Sequence, residues 1–498
     1  MTTAPSSAPG SAPSSAPDQT AEPKNGLDRF FEITKRGSTF GAEVRGGIVT
    51  FVTMAYIVIL NPIILTGAAD INGDSLSFSA VGASTALTAG VMTILFGVIT
   101  RLPFAFAAGL GINAFLAFSV VGQVTWPEAM ALVMINGAVI VLLAATGLRK
   151  MIFDAVPFQL KIAITVGIGL FIAFIGFVNS GFVTATGDAS PPVGLGVGGS
   201  VATVPSLLFV VTLIVTGILV ARKVKGGLLI GLVSGTVLAV IVEAIWHLGP
   251  QFADDGSFNA GGWSLTVPAL AGTPVSLPDL SLIGAVDFGF DLSKVSVVAL
   301  IMIVFTLVFS NFFDAMGTMT GLAKEANLSD AKGDFPRIKS ALIVEGVGAL
   351  AGGATSSSSN TVFIESGAGI GEGARTGFAN VITGVMFLLA MFLTPLTSIV
   401  PTEIAAAALV IVGAMMMAQI KYIDLSDFGV LLPVFLTVTV MPLTYSIANG
   451  IGAGFVSWVL VQALAGKAKT IHPLLWIVGA GFVLFFARGP IEAAFGAI

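Results

Sequence analysis

Cysteine is absent from this 498-residue chain, which excludes disulfides, thiolate metal sites and cysteine nucleophiles. Histidine is nearly absent: His247 and His472 lie far apart and near the ends of apolar runs, so no histidine-based metal or catalytic centre is expected. Charge is scarce, with Asp, Glu, Lys and Arg at 10% of residues, where a soluble domain carries about a quarter. No phosphate-binding loop, metal cluster or nucleophile-base pair appears, so the sequence predicts no enzyme, no metal, no cofactor and no nucleic-acid partner. What is abundant is apolar. A hydrophobic fraction of 55% and a mean hydropathy of +0.99 mark an integral membrane protein in a lipid bilayer. The net charge of −5 says little, because it is the placement of positive charge that orients such a chain.

Residues 1–26 are read as a disordered cytoplasmic tail. The first 23 are mostly Ala, Pro and Ser, too polar and Pro-rich to fold, without the basic start and apolar stretch of a signal peptide. Apolar runs between turn signals then predict an all-α polytopic protein with seven spans in each half. The first half has 46–66, 78–99, 103–120, 128–147, 157–178, 204–221 and 227–247. The second has 295–320, 338–353, 356–372, 377–397, 402–420, 428–444 and 447–465. The run 473–487 is too short for a span and is expected in the interface or against the bundle. The connection 248–294, rich in Gly, Pro and Asp, is expected to form a small outer cap with some strand.

With the N-terminus in the cytoplasm, 20 Lys and Arg fall inside, among them Arg101, Arg149, Lys150, Lys332 and Arg375; only Lys294 falls outside, and Arg488 is ambiguous. Seven is odd, so the second half enters from the opposite side, which is the arithmetic of a 7+7 inverted repeat. The third span then mirrors the tenth, and both are abnormal. Residues 103–118, PFAFAAGLGINAFLAF, are Gly-interrupted with one strongly polar residue, Asn113. Residues 354–377, ATSSSSNTVFIESGAGIGEGARTG, place a serine run, an Asn, several glycines and Glu365 where about 20 apolar residues should stand. Broken backbone at membrane depth is tolerated only where protein buries it or it lines a cavity, so the two breaks are expected to face each other around a substrate.

Asp314, in SNFFDAMGTMTG, sits in the eighth span, where a charge costs at least about 2.5–3.5 kcal/mol and so lines a pathway or is held by a partner such as Lys324 or Arg337. Glu365 would sit at a helix N-terminus inside the membrane if the chain is extended over about 359–363 and helical beyond. Asn113 is the mirror candidate, and Gly109 and Gly111 would let backbone approach a flat ligand. Glu345, two turns into the ninth span, either relays protons or pairs with a cytoplasmic cation. Glu128, Glu243 and Glu403 sit at outer ends, where solvation is expected. Asn61-Pro62 suggests a kink with Asn61 answering freed backbone. One or two of Phe104, Phe106, Phe115, Phe312 and Phe313 are candidates to stack on a planar ligand.

These motifs resemble the nucleobase-cation symporter type 2, or nucleobase-ascorbate transporter, superfamily, and within it the AzgA-like purine permeases. The carriers are TFVTMAYIVILNP, AAGLGINAF, LKIAITVGIGLFIAFIGFVNSG, NFFDAMGTMTG and NTVFIESGAGIGEGARTG, within residues 27–465. The resemblance implies a core domain (27–147 and 295–397), a gate domain (148–247 and 398–466), the outer loop 248–294 and a C-terminal segment 467–498. It implies short strands in the third and tenth spans, with a nucleobase held between them. The family's binding acids fall on Asp314 and Glu365 and its third-span polar position on Asn113; Phe363 and Ser366, beside Glu365, complete the expected set. The chain departs from the family at Ala108, Asn311, Ala315 and Glu345, where Pro, Asp, Thr and Asp are common.

The resulting expectation is a homodimeric plasma (inner) membrane importer of hypoxanthine, guanine and adenine, coupled to protons and working by elevator-like alternating access. Glu365, Asp314 and Glu345 are the proton-coupling candidates, since desolvation favours a neutral carboxyl. Guanine offers N1–H and an exocyclic N–H that one carboxylate accepts together, hypoxanthine offers N1–H alone, and adenine needs a protonated acid or another pose. The alternatives are a sodium-coupled or uracil/xanthine carrier, or an anion transporter of the same fold.

Overall fold

Long apolar runs in lipid can satisfy their backbone within themselves only as helix, and this chain does so. The computed structural model describes residues 23–147, 155–187, 190–196, 199–201, 203–251, 258–264, 266–269, 273–292, 294–329 and 335–487. Residues 1–22 of the expected tail, Arg149, Lys150, Lys332 and the segment 488–498 with Arg488 lie outside the described residues. Among the described residues, ten helices are long and apolar enough to cross a membrane. The fourteen expected segments all have counterparts, but four are too short for that test. Two of these, around 103–120 and 356–372, are broken by strands; the others are the helices Ile338–Ala354 and Phe428–Leu443. The run near 473 forms the helix Pro473–Phe486, packed on Ile447–Gln462.

The helices pack in two groups. In the first, Trp126–Thr146 lies along Ile338–Ala354, and Phe78–Thr100 along Gly377–Ala390. Glycine sets both approaches: a Cβ on Gly137 would stand 2.6 Å from the Leu350 nitrogen, and one on Gly97 2.5 Å from the Gly377 oxygen. In the second, Phe158–Asn179 packs on Thr402–Met417 and Phe428–Leu443, and Val204–Ala221 on Gly227–Trp246.

Two small antiparallel sheets interrupt the helices. Strand β1 (Phe106–Ala108) pairs with β4 (Asn360–Val362) in the register Phe106–Val362, Ala107–Thr361 and Ala108–Asn360. Strands β2 (Val183–Ala185) and β3 (Val193–Leu195) form a hairpin before the helix Val204–Ala221. Strand expected in the 248–294 connection is limited, among its described residues, to one bridge between Pro250 and Trp263.

The two ends of the helix Ile338–Ala354 mark two faces. At its start, Arg337 donates to the Ile99 carbonyl at 2.9 Å, beside Arg36, which donates to the Arg101 carbonyl at 2.6 Å. At its end, the Ala354 carbonyl accepts from Gly284 N–H of the 248–294 connection at 2.8 Å. The acids expected to be solvated on that second face are instead used to tie it down. Glu243 accepts from the Trp263 indole at 2.8 Å, Glu403 from Ser264 N–H at 2.9 Å, and Glu128 from Asp291 N–H at 3.1 Å. The reason is backbone bookkeeping: the connection has little sheet of its own, so carboxylates satisfy its N–H groups.

Candidate functional site

Each break has the same build, a three-residue strand followed by a six-residue helix. Strand β1 leads through Gly109 into Leu110–Phe115, which continues as a π-helical turn, Leu116–Val120. Strand β4 leads through Phe363 and Ile364 to Glu365, the N-cap of Ser366–Gly371. The strands are joined beyond their ends by Phe363 N–H to the Ala105 carbonyl and Gly109 N–H to the Ser359 carbonyl, both 2.9 Å.

The polar residues of the breaks answer backbone that lipid cannot. Ser357, Ser358, Ser359 and Asn360 are each 0% exposed. Asn61 donates to Thr85 Oγ1 at 2.7 Å and the Ser357 carbonyl at 3.0 Å, and accepts from Asn113 Nδ2 at 2.6 Å. Asn61 therefore links the two breaks, through Asn113 and Ser357, and does not serve a proline kink in its own helix. The interruption in that helix falls at residues 55–56, between Phe40–Met54 and Ile57–Thr66, and Pro62 lies inside the second piece.

A cavity of ≈ 450 Å³ opens between the breaks and the second helix group, within the range of about 300–1,000 Å³ usual for small-molecule sites. Asp314, Glu365, Gly109, Gly111 and Phe363 line it, so five of the expected binding residues share one wall system. Asn113 and Ser366 stand behind it, both 0% exposed, the first on Asn61 and the second accepting from Ala105 N–H at 2.9 Å. Of the candidate aromatics, Phe313 reaches the cavity, while Phe104, Phe106, Phe115 and Phe312 are packed in the core.

Tyr56 was not singled out from the sequence and belongs to this site. It lies at the helix interruption, 1% exposed, lines the cavity and donates its hydroxyl to Glu365 Oε1 at 2.6 Å. Its sequence signal is weak, one more hydroxyl in a run that also holds Thr50, Thr53 and Asn61. Glu365 makes no capping bond to its own helix, so an ordinary N-cap role does not account for it. Among the described residues Asp314 has no ion pair, and Arg337, once a possible partner, binds the Ile99 carbonyl. Glu345 is 0% exposed behind β4, and no cation pairs with it among the described residues. Lys421 and Tyr422 line the exposed margin of the cavity.

The sequence profile of the Permease family, Xan_ur_permease, matches residues 41–487. The chain belongs to this family. The permease is 36% identical to the guanine/hypoxanthine permease PbuG of Bacillus subtilis, over 92% of this chain and 99% of that protein. It is 34% identical to the adenine permease AdeQ of Escherichia coli K12, over 94% and 97%. These relatives place it in the nucleobase-ascorbate transporter superfamily, as its motifs imply. Its fold is similar to the transmembrane domain of the cyanobacterial bicarbonate transporter BicA, with a TM-score of 0.55 at 16% identity, over 84% of the permease and 97% of that chain.

Proposed function

We propose that the permease imports purine nucleobases by proton symport, with the cavity between the two breaks as the substrate site. The observation that carries this is the Tyr56–Glu365 pair: the hydroxyl fixes one carboxylate oxygen and leaves Oε2 for a ligand, in a cavity that Asp314 also lines. A fixed carboxylate suits N1–H of guanine or hypoxanthine, and a site with a buried acceptor discriminates strongly against analogues lacking the donor. The relatives named for guanine, hypoxanthine and adenine support these three bases over uracil or xanthine. Gly109, Gly111 and Phe363 are assigned to the cavity wall, and Asn113 and Ser366 to holding the breaks together. The anion alternative is disfavoured by two carboxyls lining the cavity against one exposed cation, Lys421.

The proposal includes the larger frame. Adding the two broken segments and the two shorter helices to the ten long ones gives fourteen membrane elements, seven per half. Under inversion of the halves, the pair Trp126–Thr146 with Ile338–Ala354 exchanges with the pair Gly377–Ala390 with Phe78–Thr100, which supports an inverted repeat. The first helix group is the core and the second the gate, sliding past each other within a homodimer in the plasma (inner) membrane. The basic face and the N-terminus are inside.

Reconstituted in liposomes, the permease should accumulate labelled hypoxanthine under an acid-outside gradient, with unlabelled guanine and adenine competing. Accumulation that needs sodium instead, or competition by bicarbonate and none by guanine, would favour the alternatives.

A further inference from the structure

The β1–β4 pair has two outer edges, and the protein closes them with different chemistry. The joining bonds run through Ala105 with Phe363 and Gly109 with Ser359. Alternation in an antiparallel ladder therefore leaves the register partners Phe106 and Val362 with N–H and C=O turned outward. On the β1 edge one neutral hydroxyl answers both groups. Thr93 Oγ1 accepts from Phe106 N–H at 2.9 Å and donates to its carbonyl at 3.1 Å.

On the β4 edge the neighbouring helix is Ile338–Ala354, and the residue whose side chain faces Val362 N–H is Glu345. Gly348 and Gly352, one and two turns on, press the same helix face against the chain: a Cβ on Gly348 would stand 3.0 Å from the Asn360 carbonyl. Glu345 is 0% exposed, and the polar groups beside its carboxyl are the Thr361 hydroxyl and Val362 N–H. Among the described residues no cation pairs with Glu345. Phe78–Thr100 carries no charged residue, Trp126–Thr146 carries Glu128 in its first turn, and Lys339 lies almost two turns away on its own helix. Asp314, on Val297–Glu325, is the other ionisable group that acts on it.

We propose that Glu345 holds the coupled proton, sensing the β4 edge instead of the base; this rests on the proton-symport reading above. As a neutral acid it does what Thr93 does, accepting from N–H and donating to C=O. As a carboxylate it can only accept, which leaves the Val362 carbonyl unanswered and buries an unpaired charge. A seated β4 is therefore tied to the protonated form, and release of that proton as carboxylate to displacement of the strand. Because Glu365 follows Val362 by three residues, that shift reaches the substrate carboxylate directly.

Glu345→Gln tests this in liposomes loaded with hypoxanthine, since the amide keeps both hydrogen-bonding roles and cannot lose a proton. Exchange of internal for external base should persist with its pH dependence abolished, and under an imposed pH gradient the internal concentration should settle at the external one. Accumulation by this variant under the gradient overturns the proposal. If the amide variant does not insert, Glu345→Asp decides: a displaced pH profile of exchange supports it, and an unchanged profile overturns it. A wild type that exchanges no base overturns the purine reading as well, and one that accumulates base without a pH gradient overturns the proton for both.

Discussion

Between residues 103 and 120 the chain passes through the middle of the bundle without a charged side chain, whereas between 354 and 377 it does so with Glu365, Glu372 and Arg375. The first break is answered throughout by neutral groups: Thr93 closes its strand edge, and Asn113 leans on Asn61. The second carries an acid into the cavity, lays its edge against another, and ends on a third that meets Arg45 and Lys225. A near-symmetric scaffold thus holds asymmetric chemistry. On the proposed function, the neutral break is a floor whose job is geometric, and the acidic break is where ligand and proton would act. Desolvation explains the economy, since each buried acid is costly and one half suffices.

The comparison is most exposed to a change at Glu365. Glu365→Ala should bring guanine uptake to background while protein remains in the membrane, measured as labelled uptake beside protein content. Retained uptake with normal affinity would remove the acid from the site and dissolve the contrast. Next comes Tyr56→Phe, which frees Glu365 Oε1 from its 2.6 Å bond. A hydrogen bond to a charged group contributes about 1.5–3 kcal/mol, so competition assays should show apparent affinity falling by about tenfold or more. No change would mean that Glu365 needs no positioning from outside its own break.

Much of this was legible in the sequence because lipid imposes a strict grammar. Apolar length marks helices, and the two Gly- and Ser-interrupted segments announced irregular backbone that must be buried. Asp314 and Glu365 could be named since charge inside such runs is costly. Contacts across the fold left no local trace: Tyr56 and Glu365 are 309 residues apart, and nothing near either names the other. Glu128, Glu243 and Glu403 read as solvated from sequence, because the Gly- and Pro-rich connection gives no sign that it needs their oxygens. The β1–β4 register, which sets Thr93 and Glu345 on opposite edges, likewise follows from tertiary placement and not from spacing.

A smaller effect is expected in the neutral break. Asn113→Ala removes the 2.6 Å bond to a buried Asn61 oxygen, and leaving such a group unpaired costs about 1–3 kcal/mol. Thermal unfolding in detergent should move down while the KM for hypoxanthine stays put. A raised KM at unchanged stability would show that this break touches ligand after all and that the floor is also part of the grip.

The smallest effect lies at the far end of the acidic break. Glu372 caps Ser366–Gly371 and pairs with Arg45 Nε at 2.8 Å, from the first helix group, and with Lys225, from the turn between Val204–Ala221 and Gly227–Trp246 in the second. Lys225 is largely exposed, and such pairs contribute about 0–1 kcal/mol, so Lys225→Ala should leave stability and affinity near the wild type. If the two groups slide during transport, however, this pair must open in every cycle, and even a small bias then shifts how long the cavity faces one side. The test uses the cysteine-free chain: single cysteines placed along the cavity margin at Gln419 and Tyr422 should be labelled at altered rates in the Lys225→Ala background. Unaltered rates would mean that the acidic break is anchored by Arg45 alone and moves wholly with its own group.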